Sequence, residues 1–271
     1  MATLPVSGAP GRERTRRAAA FFRLEGVMHA APAWSGAAFL ASNAASMRRR
    51  LLGLGGAVLS GALRGVSLAG AGLAGADATR LSCRALAGIS RDRLEVIGED
   101  YARDVLVPEA RDEAVRLLEG ARRDGLVTVL VAESVAPIAD AFARVLAKKG
   151  PGFDLVLSNQ LELDARQHAT GSLLEPVIGP EIDPRRVREL ASAQGIDLET
   201  SRAYGHARAD LVLLGLVGQP CAIEPRRELA RVARDLDWPI VRAAEPFVGS
   251  PPARTDFFND DRDAEQGALH R

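Results

Sequence analysis

From residue 108 onward the chain alternates helix-like and strand-like segments, and that alternation restricts its fold more than any other feature. Pro108 to Arg123 carries Ala110, Ala114, Leu117 and Leu118 at helical spacing and stops at Asp124-Gly125, a helix-ending signal. Val127 to Val131 is an aliphatic run of the kind a strand buried on both faces needs. Pro137 to Lys149 reads as a helix closed by Gly150, Phe153 to Leu157 as a strand, and Pro184 to Gln194 as a helix stopped by Gly195. Residues 220–223 and 239–243 read as strands around a helix from Arg226 to Leu236, and Ser158 to Leu174 as a β-hairpin. Near the start, Ala18 to Leu24 is a strand-length apolar run ended by Glu25-Gly26. The order predicts an α/β fold: a doubly wound, mostly parallel, Rossmann-like sheet with helices on both faces.

The first strand and residue 108 are separated by a stretch without this alternation. It reads as a helical cap over 30–105, inserted after the first strand, which leaves 18–29 and 106–248 as the core. Residues 1–17 read as a disordered basic arm, and 249–271 as a disordered tail. Leu51 to Ala76 has one charge, Arg64, behind Arg48-Arg49-Arg50, which suggests membrane contact; its eight glycines and central Arg64 favour a packed cap segment instead. The 35 basic and 35 acidic residues cancel, so the chain has no general attraction for nucleic acid. Its two cysteines, Cys83 and Cys221, lack metal-ligand spacing and read as buried thiols. The N-terminus has no secretory pattern, and a cytoplasmic protein is expected.

Ligands in an open α/β sheet sit beyond the carboxyl ends of the strands. Four segments belong there: 23–27, 132–134, 179–183 and 204–210. Phe21-Phe22-Arg23-Leu24-Glu25-Gly26-Val27 resembles the Asp-x-Asp-Gly-Thr loop of the haloacid-dehalogenase superfamily, and Val129 to Ser134 resembles its strand ending in Ser or Thr. Leu163-Asp164 with Thr170-Gly171 resembles the hairpin that follows. Ala203 to Leu211 resembles the Tyr-Ser-Asp-Ser-x-x-Asp of the phosphoserine-phosphatase-like branch, and Gly218 to Pro225 with Trp238-Pro239-Ile240 resembles that branch's continuation. The order of these segments makes the resemblance specific for fold.

The resemblance implies a magnesium-dependent phosphatase, and the departures from it bear on that activity. Arg23 stands where the family has its nucleophilic, magnesium-binding Asp; a guanidinium neither attacks phosphorus nor ligates a cation. Glu25 stands for the general acid and base, Ala132 for the phosphate-holding hydroxyl, and His206 for a metal-ligating Asp, while Asp210 retains the last carboxylate. The lysines are Lys148 and Lys149, so the family's Lys near Gly179 has no counterpart. These losses predict a catalytically silent member acting as a binding or regulatory protein, with no cofactor. The alternatives are an active phosphomonoesterase using magnesium, with Glu25 and Asp210 as ligands, and a membrane-peripheral scaffold.

The expected partner is a small anionic ligand or a protein, with Arg23, Ser134 and Arg185 as candidate anion-binding groups. Arg23 is also expected to replace the metal as a positive centre, paired with Glu25 or Asp210. Ser134 is a candidate helix N-cap, and Arg185, Arg186 and Arg188 a solvated helix face. His29 and His168 read as ordinary core or surface residues, and Tyr204 as a packing residue.

Overall fold

A computed structural model describes residues 16–51 and 76–242. The expected basic arm, apart from its last two residues, the segment between 52 and 75, and the expected tail lie outside the described residues.

Six parallel strands form one sheet in the order β3-β2-β1-β6-β7-β8. They are β1 (Arg17–Arg23), β2 (Val127–Val135), β3 (Leu155–Asn159), β6 (Ile196–Gly205), β7 (Gln219–Ile223) and β8 (Ile240–Val241). A separate antiparallel hairpin, β4 (Leu161–Leu163) and β5 (Ala169–Leu173), follows β3 as expected. Helices α1 (Ala33–Leu51), α2 (Ala76–Arg84) and α3 (Arg91–Tyr101), with a π-helical turn at Ala102–Leu106, come between β1 and the rest of the core. The core helices are α4 (Asp112–Arg123), α5 (Ala136–Lys149), α6 (Pro184–Gln194), the short α7 (Leu211–Leu214) and α8 (Arg227–Asp235).

The alternation of side chains along the central strands builds the layers. Ala20 and Phe22 of β1 and Leu130 and Ala132 of β2 face one hydrophobic cluster; Ala19, Phe21, Val129 and Val131 face the other. Both faces are buried, which is why these strands are continuous apolar runs. The first cluster also takes in Leu40, Leu94, Ile97 and Tyr101 from α1 and α3. The inserted helices therefore share a core with the sheet. Gly98 of α3 lies so close to the Pro137 carbonyl that a Cβ would collide with it.

The differences from expectation have local causes. Arg17 opens β1, with its N–H donating to Gly195 O at 2.9 Å, so the strand starts one residue early. Helix α4 starts at Asp112, not Pro108, because Arg111 is extended and its N–H donates to Met28 O at 2.9 Å. Once begun, α4 has Asp112 and Glu113 in its first turn and Arg122 and Arg123 in its last, both favourable to the helix dipole. Strand β2 runs four residues past Val131, and β8 is shorter than expected.

The longest strand, β6, has no apolar run to announce it: Asp197, Glu199, Thr200 and Arg202 interrupt it. It pairs with β1 through an irregularity that the fully buried Ser201 repairs. Ser201 Oγ accepts from Ala19 N at 2.8 Å and donates to the Asp197 carbonyl. Helix α6 matches its expected bounds because both ends are signalled: the Asp183 side chain accepts from Arg185 N, Pro184 is the first helical residue, and Gly195 takes φ 64° beyond the end.

Candidate functional site

The carboxyl ends of β1, β2, β3 and β6 converge, and three carboxylates and a guanidinium meet there. After β1 the chain folds back sharply: Met28 N donates to Arg23 O at 3.0 Å and Gly26 N to His29 O at 2.7 Å. Gly26 has φ 84°, and a Cβ there would come within 3.0 Å of the His206 ring, so glycine is needed for both backbone and space.

Both carboxylate oxygens of Glu25 accept hydrogen bonds. One carboxylate oxygen takes Glu133 N at 2.9 Å; the other takes Ser134 N at 2.8 Å and Ser134 Oγ at 2.7 Å. Ser134 is thus spent on Glu25. The helix N-cap is Val135, without a side-chain cap, so the expected capping role of Ser134 is corrected.

Arg23 and Asp210 form a buried ion pair, Nε to Oδ1 at 3.6 Å, with side-chain exposures of 3% and 5%. The separation is too long for a hydrogen bond, and Nε has no partner of that kind. A terminal nitrogen of Arg23 reaches Gly179 O at 3.4 Å. The second oxygen of Asp210 accepts from His206 N at 2.7 Å and Ala207 N at 2.9 Å, which fixes the turn after β6.

The His206 ring bonds to the end of β7. Its Nδ1 lies 3.2 Å from Ile223 O, an atom that can only accept, so Nδ1 carries the proton. Burial lowers its pKa below the ordinary histidine value, the bond to Ile223 O opposes the shift, and the Arg111 and Arg226 charges add to it. Ala132 is a buried methyl in the core. Arg185 is on the surface: its side chain is 80% exposed and pairs with Asp183 at 2.7 Å. The three candidate anion-binding groups, Arg23, Ser134 and Arg185, do not converge on one point.

Two residues to which the sequence assigns no functional role complete the site. Asn159, at the end of β3, donates to Glu133 O at 2.7 Å and Ile178 O at 2.8 Å and accepts from Ile178 N at 2.7 Å. It thereby ties β2 to the loop that carries Gly179. Glu133 accepts from the buried Thr79 hydroxyl of α2 at 2.6 Å. Burial pushes its pKa up to about 7, and the Glu25 charge adds to the rise while the Thr79 bond opposes it. The available signal for Glu133 was a carboxylate directly following a continuous apolar strand.

His29 is a buried core histidine whose Nδ1 accepts from Ala31 N at 2.8 Å; burial lowers its pKa as well. Tyr204 stacks on Phe22 with ring centroids 4.4 Å apart.

The donor set does not suit magnesium. That ion requires near-octahedral oxygens at about 2.0–2.1 Å. Here both Glu25 oxygens and one Asp210 oxygen are occupied by N–H and O–H donors, and the other Asp210 oxygen faces a guanidinium. Among the described residues no group of three or more His, Cys, Asp or Glu side chains could hold a metal ion. The hollow bounded by Glu25, Ser134, His29, Ser35 and Tyr101 measures ≈10 Å³, about the space of one water. A larger hollow of ≈440 Å³ lies at the opposite end of the sheet, by Arg17, Arg122 and Asp154, and none of the site residues lines it.

A model of the haloacid dehalogenase-like hydrolases matches residues 34–215. The chain belongs to that family. The match starts beyond Arg23 and Glu25 and includes the second and last segments of the site. In sequence the chain is 30% identical over 152 residues to the "Inhibition of morphological differentiation protein" of Streptomyces azureus, covering 56% of this chain and 52% of that protein. The chain spans about half the length of the curated relatives it matches.

Among solved structures, a Bordetella pertussis protein of unknown function is similar at TM-score 0.66 and 22% identity, over 84% of this chain and 99% of that one. A probable phosphoserine phosphatase from Vibrio cholerae is similar at TM-score 0.56 and 17% identity, over 85% and 62%. The fold is that of the family's phosphoserine-phosphatase-like branch. No helix among the described residues is long and apolar enough to cross a membrane; the expected segment Leu51 to Ala76 lies almost wholly outside them.

Proposed function

We propose that this chain is a non-hydrolytic member of its family that acts by binding, as a regulatory protein. The observation that carries this reading is Arg23, buried at the end of β1 and paired with Asp210, in the position where the resemblance implies a nucleophilic aspartate. A permanently protonated guanidinium cannot form a phosphoenzyme. Glu25, the counterpart of the general acid and base, has both oxygens held by hydrogen bonds within the chain, and the hollow beside it does not admit a phosphomonoester. Phosphoryl transfer depends largely on positioning and electrostatics, so losing the nucleophile and the cation together removes most of the rate. The Streptomyces azureus relative is named for an effect on differentiation, which agrees with a regulatory role. A protein partner fits the closed site better than a small anionic metabolite does.

A second reading, an active hydrolase working by another route, is favoured by Glu133. A carboxyl titrating at about 7 beside Glu25 suits general acid–base chemistry. Phosphate release from a panel of phosphomonoesters, with and without magnesium, separates the two. The first reading expects no turnover by the wild-type chain. Turnover that Glu133→Gln abolishes would establish the second and sink the first.

A further inference from the structure

We propose that the Arg23 guanidinium is a built-in replacement for the divalent cation of this fold, so that the loops at the sheet's end assemble without metal. The inference deepens the non-hydrolytic reading but has its own ground, the connectivity around Arg23. Three segments far apart in sequence meet at this one side chain. The first is its own strand end at β1. The second is the turn after β6, held through Asp210 at 3.6 Å. The third is the loop after β5, held through Gly179 O at 3.4 Å.

A small dication would gather carboxylate and carbonyl oxygens in the same way. The guanidinium draws in the same two oxygen types, one carboxylate and one backbone carbonyl, using a charge that cannot be chelated, diluted or deprotonated. The remaining acceptors are satisfied within the chain. Asp210 takes His206 N and Ala207 N, Glu25 takes Glu133 N and Ser134, and Asn159 clamps Ile178 next to Gly179. The guanidinium would have to leave a position 97% removed from solvent before a cation, held by one or two carboxylates and its own waters, could take its place.

The chain is therefore expected to be indifferent to divalent ions where a carboxylate at position 23 would make it dependent on them. The test is metal binding, read without any activity assay. Manganese(II) is titrated into the full-length wild-type chain and followed by the loss of free-ion paramagnetic resonance signal, and thermal unfolding is recorded in EDTA and in 10 mM magnesium. The expected result is no stoichiometric manganese uptake and a melting temperature unchanged between the two conditions.

Purified and melted in the same way, Arg23→Asp places a carboxylate beside Asp210. It is expected to take up one manganese ion and to melt several degrees higher with magnesium than with EDTA. Stoichiometric uptake by the wild-type chain that Asp210→Asn removes would overturn the inference. So would an Arg23→Asp chain, folded or unfolded, that magnesium does not stabilise.

Failure here is separable from failure of the non-hydrolytic reading. A wild-type chain that binds manganese yet releases no phosphate overturns only the cation replacement. One that turns over phosphomonoesters in EDTA overturns only the non-hydrolytic reading.

Discussion

The Arg23–Asp210 pair gives the sharpest stability prediction. Its charges lie 3.6 Å apart with 3% and 5% exposure. At an effective dielectric of about 20 the Coulomb attraction is roughly 4–5 kcal/mol, most of which offsets the cost of taking both ions out of water. The pair is thus worth little against an apolar pair, but removing one member strands the other. Arg23→Met leaves a buried carboxylate; Asp210→Asn leaves a buried guanidinium while keeping an oxygen for His206 N and Ala207 N. Each single change is expected to cost about 3 kcal/mol, the lower end of the range for broken buried pairs, because no hydrogen bond accompanies this one. The double change is expected to cost much less than the sum, with a coupling of roughly 2–3 kcal/mol. Urea unfolding of the four chains at one pH measures this, and melting temperatures should fall by roughly 2–4 °C per kcal/mol. Single changes costing under about 1 kcal/mol that add without coupling would show that the charges are solvated or apart, and the account of the site would be wrong.

Three further outcomes follow from other contacts. Glu133, raised by burial from 4.5 to about 7, destabilises the folded chain once ionised; its contribution is intact below pH 4.5 and lost as pH rises through about 7. Wild type measured against Glu133→Gln should therefore lose about 3 kcal/mol across that window, from 1.36 kcal/mol per unit, and a flat difference would place the carboxyl in solvent. Asn159→Ala removes three hydrogen bonds between β2, β3 and the Ile178 loop, for an expected loss of about 3 kcal/mol in denaturant titration; a loss below about 1 kcal/mol would mean water replaces them. Gly98→Ala puts a methyl into the Pro137 carbonyl and should cost about 1–3 kcal/mol, with faster amide exchange confined to α1 and α3; unchanged exchange there would show the helices do not bear on that contact.

The fold was legible wherever an element carried both its own period and its own stop signal. Helix α6 has Asp183, Pro184 and Gly195 at its ends, and its bounds match the expectation. The strand β2 was legible in position but not in length, because Glu133 and Ser134 look like an exit from a strand, whereas their backbone N–H groups are held by Glu25 from the turn after β1. That partner is 109 residues away from Ser134 in the chain and leaves no local trace. Strand β6 was hidden for the complementary reason. It is a central strand, yet half of it is polar. Ser201 satisfies the irregular pairing with β1 from inside, a polar solution where periodicity looks for an apolar one.

The site divides along the same line. Arg23, Glu25 and Asp210 could be found because short motifs fix them relative to strand ends, and a parallel sheet brings strand ends together whatever the side chains are. The choice Arg23 makes between Glu25 and Asp210 could not be read from sequence. It follows from Glu25 being one methylene longer than aspartate, enough for both its oxygens to reach the Glu133 and Ser134 N–H groups, which leaves Asp210 facing the guanidinium. A motif substitution therefore states what a position can no longer do, while its new role depends on which neighbours reach it first. Arg23 and Glu25 together leave both Glu25 oxygens and one Asp210 oxygen hydrogen-bonded and set the other Asp210 oxygen against a guanidinium, an arrangement that holds the loops in place.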